Sequence, residues 1–325
     1  MVAVAHERQK IGPGLGASEV AAAVGLSPWQ SPLTLWEEKT GKREPFAGND
    51  FTEWGLLVEP ALLAWYEQKH IDQFEHMRRP TESLYHPDIR WARCTPDGIV
   101  SQSDDWSVWL RGVQCKNTGF WPGKKYENGP PEHVVLQCQW EMFVTALPRV
   151  DVVAAIGGGP PAVFTVWRDE GLIADLYTAA AKFWHLVETD TPPPVDASDA
   201  WREHFAKKIG DTSRGLVLQD SADADRLAME LRSTRAARRG LEMREKQLEN
   251  QICGLLADAQ VDAVGTTEGL ITWRESAGST KWKDVAHAIA KSHGMAPTEV
   301  EALASGHRGE PKRTFNVPRS WDSKE

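Results

Sequence analysis

An aspartate in a tight turn, followed about seventeen residues later by Gln-x-Lys, is the grouping in this chain best suited to chemistry. Asp97 stands in Cys94-Thr95-Pro96-Asp97-Gly98 between two β-prone runs, where a turn aims its carboxylate outward from a sheet edge. Gln114 and Lys116 end the next such run, and because side chains alternate along a strand they share one face. Hydrolysis of a phosphodiester near neutral pH needs a group to activate water and positive charge at the scissile phosphate and leaving oxygen. A pair of divalent cations roughly 3.5–4 Å apart does both when oxygen ligands hold them. Asp97 and Gln114 offer oxygens, and Lys116 offers an ammonium to orient the nucleophile. Pro-Asp-Gly is equally a common turn, and a lone lysine is most often a solvated surface group. The functional reading requires the three side chains to converge.

The elements that must position these residues can be read from periodicity. Ser18 is the expected N-cap of a short Ala-rich helix stopped by Gly25, and a second helix is expected over 31–40 with Gly41 as its stop. A third, over 50–69, carries Trp54, Leu57, Val58, Ala61, Leu62 and Trp65 at helical spacing. Tryptophans such as Trp54, Trp65 and Trp184 are expected in the core rather than stacked on bases. Short β-prone runs follow at 89–93, 98–101 and 106–115. A helix over 132–145, strands over 150–156 and 163–167, and a helix over 170–188 complete an expected α/β fold, a mixed sheet flanked by helices. The proline run at 192–194 cannot continue a helix, which places a boundary near 195 and divides the chain into 1–195 and 196–325. In the second part, Leu227, Leu231, Leu241, Leu248, Ile252 and Leu255 predict a long amphipathic helix or helical hairpin. A small β-hairpin near 270–273 and a helix over 283–292 come after it.

Five segments in order carry a resemblance. They are Gly16-Ala17-Ser18-Glu19-Val20, Trp54-Gly55 with Glu59-Pro60, Thr95-Pro96-Asp97-Gly98, Gln114-x-Lys116, and Gln137-Cys138-Gln139-Trp140-Glu141-Met142-Phe143-Val144-Thr145. Spanning most of residues 11–170, they resemble the YqaJ-type viral recombinases and the lambda exonuclease family, RecB-like members of the PD-(D/E)XK nucleases. The resemblance implies a PD-(D/E)XK core and a nuclease that resects linear duplex DNA from its ends, 5′ to 3′, for phage-type homologous recombination. It implies Mg²⁺, with Mn²⁺ able to substitute, as two ions. It also implies a single-strand annealing protein as partner and a homo-oligomer, a trimer in the lambda type. By position, Asp97 would bind metal and Gln114 would stand where a second metal-binding carboxylate is expected. Lys116 would orient or deprotonate water, and Glu59 would contribute directly or through a water. Gln137 would contact DNA or steady the catalytic groups. Gln137 and Gln139 lie on different helix faces, so only one can enter the site, and Gln137 is the choice. Ser18 and Thr95 match hydroxyls near the 5′-phosphate, with Arg8, or Lys10 in its place, as the phosphate-binding cation. The glutamine at 114 departs from the Glu-x-Lys pattern. An amide oxygen can coordinate Mg²⁺ but brings no charge, which leaves open weakened activity, compensation by Glu59 or another carboxylate, or a silent DNA-end-binding scaffold.

Bulk properties limit the alternatives. The 325 residues are 41% hydrophobic, enough for a real core. The net charge of −9 argues against a uniformly basic nucleic-acid coat, though not against an acidic, cation-dependent site on a local basic track. The cysteines Cys94, Cys115, Cys138 and Cys253 form no CxxC pair and are read as reduced thiols. No P-loop is present, no apolar run reaches bilayer length, and the first residues lack a secretory pattern, so a cytoplasmic protein of a bacterial host or its phage is expected.

Overall fold

The computed structural model describes residues 13–119, 124–209, 222–274, 282–296 and 298–300. They fall into two units, Met1–Gly210 and Asp211–Glu325.

The first unit is built on a five-stranded mixed sheet flanked by helices. It begins with α1 (Ala17–Ala23), α2 (Pro32–Lys39) and α3 (Asp50–His70). The strands β1 (His76–Arg78), β2 (Leu84–Tyr85), β3 (Arg93–Cys94), β4 (Gly98–Ser101) and β5 (Trp109–Thr118) follow, then α4 (Glu132–Thr145), β6 (Arg149–Ile156), β7 (Ala162–Trp167), α5 (Glu170–Glu188) and α6 (Asp199–Ile209). The sheet order is β1-β4-β5-β6-β7. β5 and β6 pair in parallel while the other neighbours are antiparallel. A parallel pair needs a crossover long enough to return the chain, and α4 supplies it.

Strand alternation sorts the two faces. On β6, Val150, Val152 and Ala154 pack with Cys138 and Met142 of α4, whereas Val153 packs with Leu62, Leu63 and Tyr66 of α3. On β5, Val113 and Cys115 belong to the α3 side. Gln114 and Lys116 therefore face α4, fixed by the register Gln114↔Val152 and Lys116↔Ala154.

Local signals explain the helix starts. Ser31 caps α2 by accepting from the Thr34 amide at 3.1 Å, with Pro32 as the first helical residue. Asn49 caps α3 through the amides of Phe51 and Thr52, and Asp169 caps α5 through that of Leu172. At α1 the expectation is corrected. The N-cap is Gly16, whose amide donates to Glu19 Oε2 at 2.7 Å, and Ser18 lies exposed two residues later, within the first turn. A side chain at position 16 would crowd the Arg93 guanidinium, with a Cβ falling 2.9 Å from Nη1.

The entry to α1 is pinned by backbone pairing of Leu15, whose amide donates to Trp91 O at 2.7 Å and whose carbonyl accepts from the Arg93 amide at 3.1 Å. That approach requires Gly14, at φ +115°, where a Cβ would sit 2.4 Å from Trp91 O. Gly14→Ala is expected to cost about 1–3 kcal/mol. Thermal unfolding of the full chain is the measurement, and an unchanged melting temperature would refute the account.

Three further expectations change. The buried face of α3 is Leu62, Leu63 and Tyr66, while Trp54 and Leu57 are 58% and 53% exposed. The helix is apolar on more than one side and only part of it finds the sheet. The first unit extends past 195 to Gly210 because Trp201 of α6 is buried in the core with Leu33, Leu35 and Trp36 of α2. His204 of α6 also bonds the buried Glu37 carboxylate at 2.9 Å. Two short strands, β1 and β2, escape periodicity because two or three residues hold too little alternation to detect.

The second unit contains α7 (Ala222–Asp258), β8 (Ala263–Thr266), β9 (Gly269–Thr272) and α8 (Trp282–Ser292). α7 is one continuous helix rather than a helical hairpin, and β8 and β9 pair antiparallel as the expected small hairpin. Among the described residues no helix is long and apolar enough to cross a membrane.

Candidate active site

The C-terminal half of β5, the turn before β4 and the inner face of α4 bring the predicted polar groups together. The turn residue Asp97 is half-buried and its Oδ2 accepts the Cys115 amide at 2.7 Å, which locks the carboxylate against β5 and leaves Oδ1 open. From the same strand, Lys116 Nζ donates to Gln114 Oε1 at 3.2 Å and to Gln137 Oε1 at 2.9 Å. Gln137 Nε2 in turn donates to Gln114 Oε1 at 2.8 Å. The amide orientations are mutually consistent, because turning Gln114 over would aim its NH₂ group at the Lys116 ammonium.

Gln137 belongs to this cluster, while Gln139 does not. Its side chain bonds Trp167 O and the Asp169 amide, tying α4 to the end of β7. Glu59 of α3 is largely buried and ion-paired with Arg79 just beyond β1. Thr95 bonds the Ser83 hydroxyl at 3.0 Å. Among the described residues no hydrogen bond joins Ser18 to the cluster, and Arg8 and Lys10 lie outside the described residues.

One group in the cluster was not anticipated. Glu141 is fully buried one helical turn beyond Gln137, and its Oε1 accepts from Gln137 Nε2 at 3.2 Å. Its Oε2 has no hydrogen-bond partner, and neither does the buried Gln114 Nε2. The i, i+4 spacing from Gln137 to Glu141 was the signal available in the sequence.

The electrostatics show crowded acids. Burial pushes Glu141 up to about 8, with the Asp97 charge adding and the Lys116 charge opposing. Burial likewise pushes Glu59 up to about 7, again with Asp97 adding and Arg79 and Lys116 opposing. Asp97 is raised by burial, against Lys116 and the Cys115 amide. Each carboxyl is thus held toward its neutral form by low solvation, and Glu59 and Glu141 also by the Asp97 charge, an imbalance that a bound cation would relieve.

Among the described residues no three His, Cys, Asp or Glu side chains converge as a preformed metal cage. The hard oxygens present nonetheless fit Mg²⁺, which keeps several waters and is commonly held by one or two carboxylates. Asp97 would hold it, with Glu59 of α3 near enough to feel the Asp97 charge, while Gln114 Oε1 lies in the same cluster but already accepts from Lys116 and Gln137. Among soft donors, Cys94 and Cys138 are buried and, like Cys115 and Cys253, unbridged.

Residues 6–148 match the model of the YqaJ-like viral recombinase domain. The chain is 26% identical over 266 residues to the YqaJ protein of Bacillus subtilis, covering 80% of this chain and 79% of that protein. Among solved structures it is similar to an alkaline exonuclease from Laribacter hongkongensis, 21% identical over 61% of this chain and 95% of that one with a TM-score of 0.45. It is also similar to a phage-related exonuclease from Haemophilus somnus, 10% identical over 55% and 97% with a TM-score of 0.39.

Proposed function

We propose, proceeding from residues 6–148 as a YqaJ-like viral recombinase domain, that this chain is a Mg²⁺-dependent deoxyribonuclease acting on linear duplex DNA from its ends. The 5′-terminated strand is the one degraded, and the exposed 3′ strand serves recombination through a single-strand annealing partner. The working form in this proposal is a homo-oligomer. The carrying observation is the meeting of Asp97, Gln114, Lys116 and Gln137 at the end of β5.

The chain's own groups divide the work. Asp97 keeps one carboxylate oxygen on the Cys115 amide and presents the other. Lys116 spends two of its three N–H donors on Gln114 and Gln137, so its ammonium is oriented and one donor is left for the attacking water. Gln137 fixes that lysine from the α4 side. Mg²⁺, when bound, supplies charge stabilisation at the phosphate and acidifies water.

The test is Mg²⁺-dependent release of nucleotides from 5′-phosphorylated linear duplex, absent with EDTA and absent on closed circles. Asp97→Asn is expected to slow release by at least about a hundredfold, since several kcal/mol of charge stabilisation go with the carboxylate. No product from the native chain, with Asp97→Asn indistinguishable from it, defeats the proposal. A second reading, a silent DNA-end-binding scaffold, draws on Gln114, an uncharged group whose oxygen already accepts two donors. It predicts that cleavage appears only on Gln114→Glu.

A further inference from the structure

We propose that Glu141 is a further cation-binding carboxylate of this site, beside Asp97 and Glu59, supplying from α4 the charge that Gln114 cannot supply from β5. The inference rests on the metal-dependent reading above and names a ligand that reading does not include.

The argument begins with unsatisfied valence. Gln114 Oε1 accepts from both Lys116 and Gln137, which occupies its two lone pairs, so this amide oxygen has little left to offer a cation. Glu141 is in the opposite condition. It is fully buried, one oxygen takes a single donor from Gln137, and the other has none. Buried polar atoms are nearly always satisfied, and an unpaired carboxylate oxygen is among the most costly exceptions. An orphan oxygen of this kind inside a polar cluster marks a missing partner.

Geometry says which partner. Glu141 Oε1 and Gln114 Oε1 both accept from one nitrogen, Gln137 Nε2, so the carboxylate and the Gln114 amide share one neighbour in the cluster. The Asp97 and Lys116 charges both act on Glu141 across this space. With Glu141 included, α4 supplies in place of β5 the acidic group that a strand carrying Glu-x-Lys would give beside Asp97 and Lys116. A purely structural Glu141, neutral and packed in the core, would make its position indifferent to a glutamine.

The experiment measures Mn²⁺ binding to the DNA-free full chain by calorimetry, alongside cleavage. Glu141→Gln, which conserves shape, is expected to weaken Mn²⁺ binding by tenfold or more, and adding Gln114→Glu is expected to recover most of the loss by returning the carboxylate to the strand. Native-like Mn²⁺ affinity in a folded Glu141→Gln variant overturns this inference and leaves the nuclease reading intact. A native chain that neither binds Mn²⁺ nor cuts overturns both. Should neither variant fold, crystals of the native chain grown with Mn²⁺ decide. An anomalous peak about 2.1 Å from a Glu141 oxygen is expected, and a fully coordinated ion without Glu141 overturns the assignment.

Discussion

Lys116→Ala is expected to slow cleavage of linear duplex by about 10³–10⁴-fold in single-turnover assays at saturating Mg²⁺, while leaving DNA affinity and Mn²⁺ affinity near native. The expectation follows from what the ammonium touches. Its bonds go to two amide oxygens, Gln114 Oε1 and Gln137 Oε1, so it is fixed in the cluster without being committed to any carboxylate. A positioned proton-handling group of this kind contributes within the range of general acid–base catalysis, and its contribution is made in the transition state. Removing it also frees a lone pair on Gln114, which gives no reason for cation binding to fall. Lys116→Arg should rescue poorly, because a planar guanidinium cannot reproduce a compact ammonium between two amide oxygens. A Lys116→Ala chain that cuts within tenfold of native would mean the lysine only packs the site.

What could be read from the sequence depended on how local the determinant was. Asp97, Gln114 and Lys116 were legible because a turn and a two-residue alternation fix their directions, and β5 keeps that alternation through Lys116. The angular separation of residues on a helix said only that one of Gln137 and Gln139 could enter the site, and the family resemblance chose Gln137; the structure turns Gln139 toward Trp167 and Asp169 instead. Glu141 was hidden for a physical reason. A glutamate on a helix is ordinarily solvated, and α4 is buried on so many sides, with Val134, Leu136, Cys138, Trp140 and Met142 all enclosed, that no polar face marks where a site could be. The boundary was misplaced because a proline run signals an extended backbone but not a domain end. Whether the chain beyond it returns to the core depends on a long-range contact, here Trp201 against α2. The buried face of α3 was read only in part, with Leu62 buried and Val58 and Trp65 packed beside it but Trp54 and Leu57 exposed, since several faces carry apolar residues and only the sheet selects among them.

Arg111→Ala is expected to destabilise the first unit by about 3–5 kcal/mol, a larger effect than other single substitutions away from the cluster, because it strands the buried Asp151 and the half-buried Glu75. Arg111 is 4% exposed and forks onto Glu75 at 2.6 and 2.8 Å, while its Nε donates to Tyr66 Oη at 2.9 Å beside Asp151. Tyr66 also donates to Asp151, so β5, β6 and α3 are joined through one guanidinium. For a unit of this size the loss corresponds to a fall in Tm of roughly 6–20 °C, using about 2–4 °C per kcal/mol. The pH dependence has a definite sign. The Arg111 hydrogen bonds hold the Glu75 carboxyl below its usual range, so its stabilising contribution is present above the unfolded value of about 4.3 and is lost as pH falls through the lower folded value. Removing Arg111 removes that contribution, so the native and variant melting curves should converge as the pH is lowered from 7 to about 3. Equal Tm values at pH 7 would show that the fork contributes nothing. The same network also orients α3, the helix that carries Glu59 toward Asp97. A folded Arg111→Ala chain should therefore lose cleavage beyond what its stability explains, which assays well below its Tm would detect.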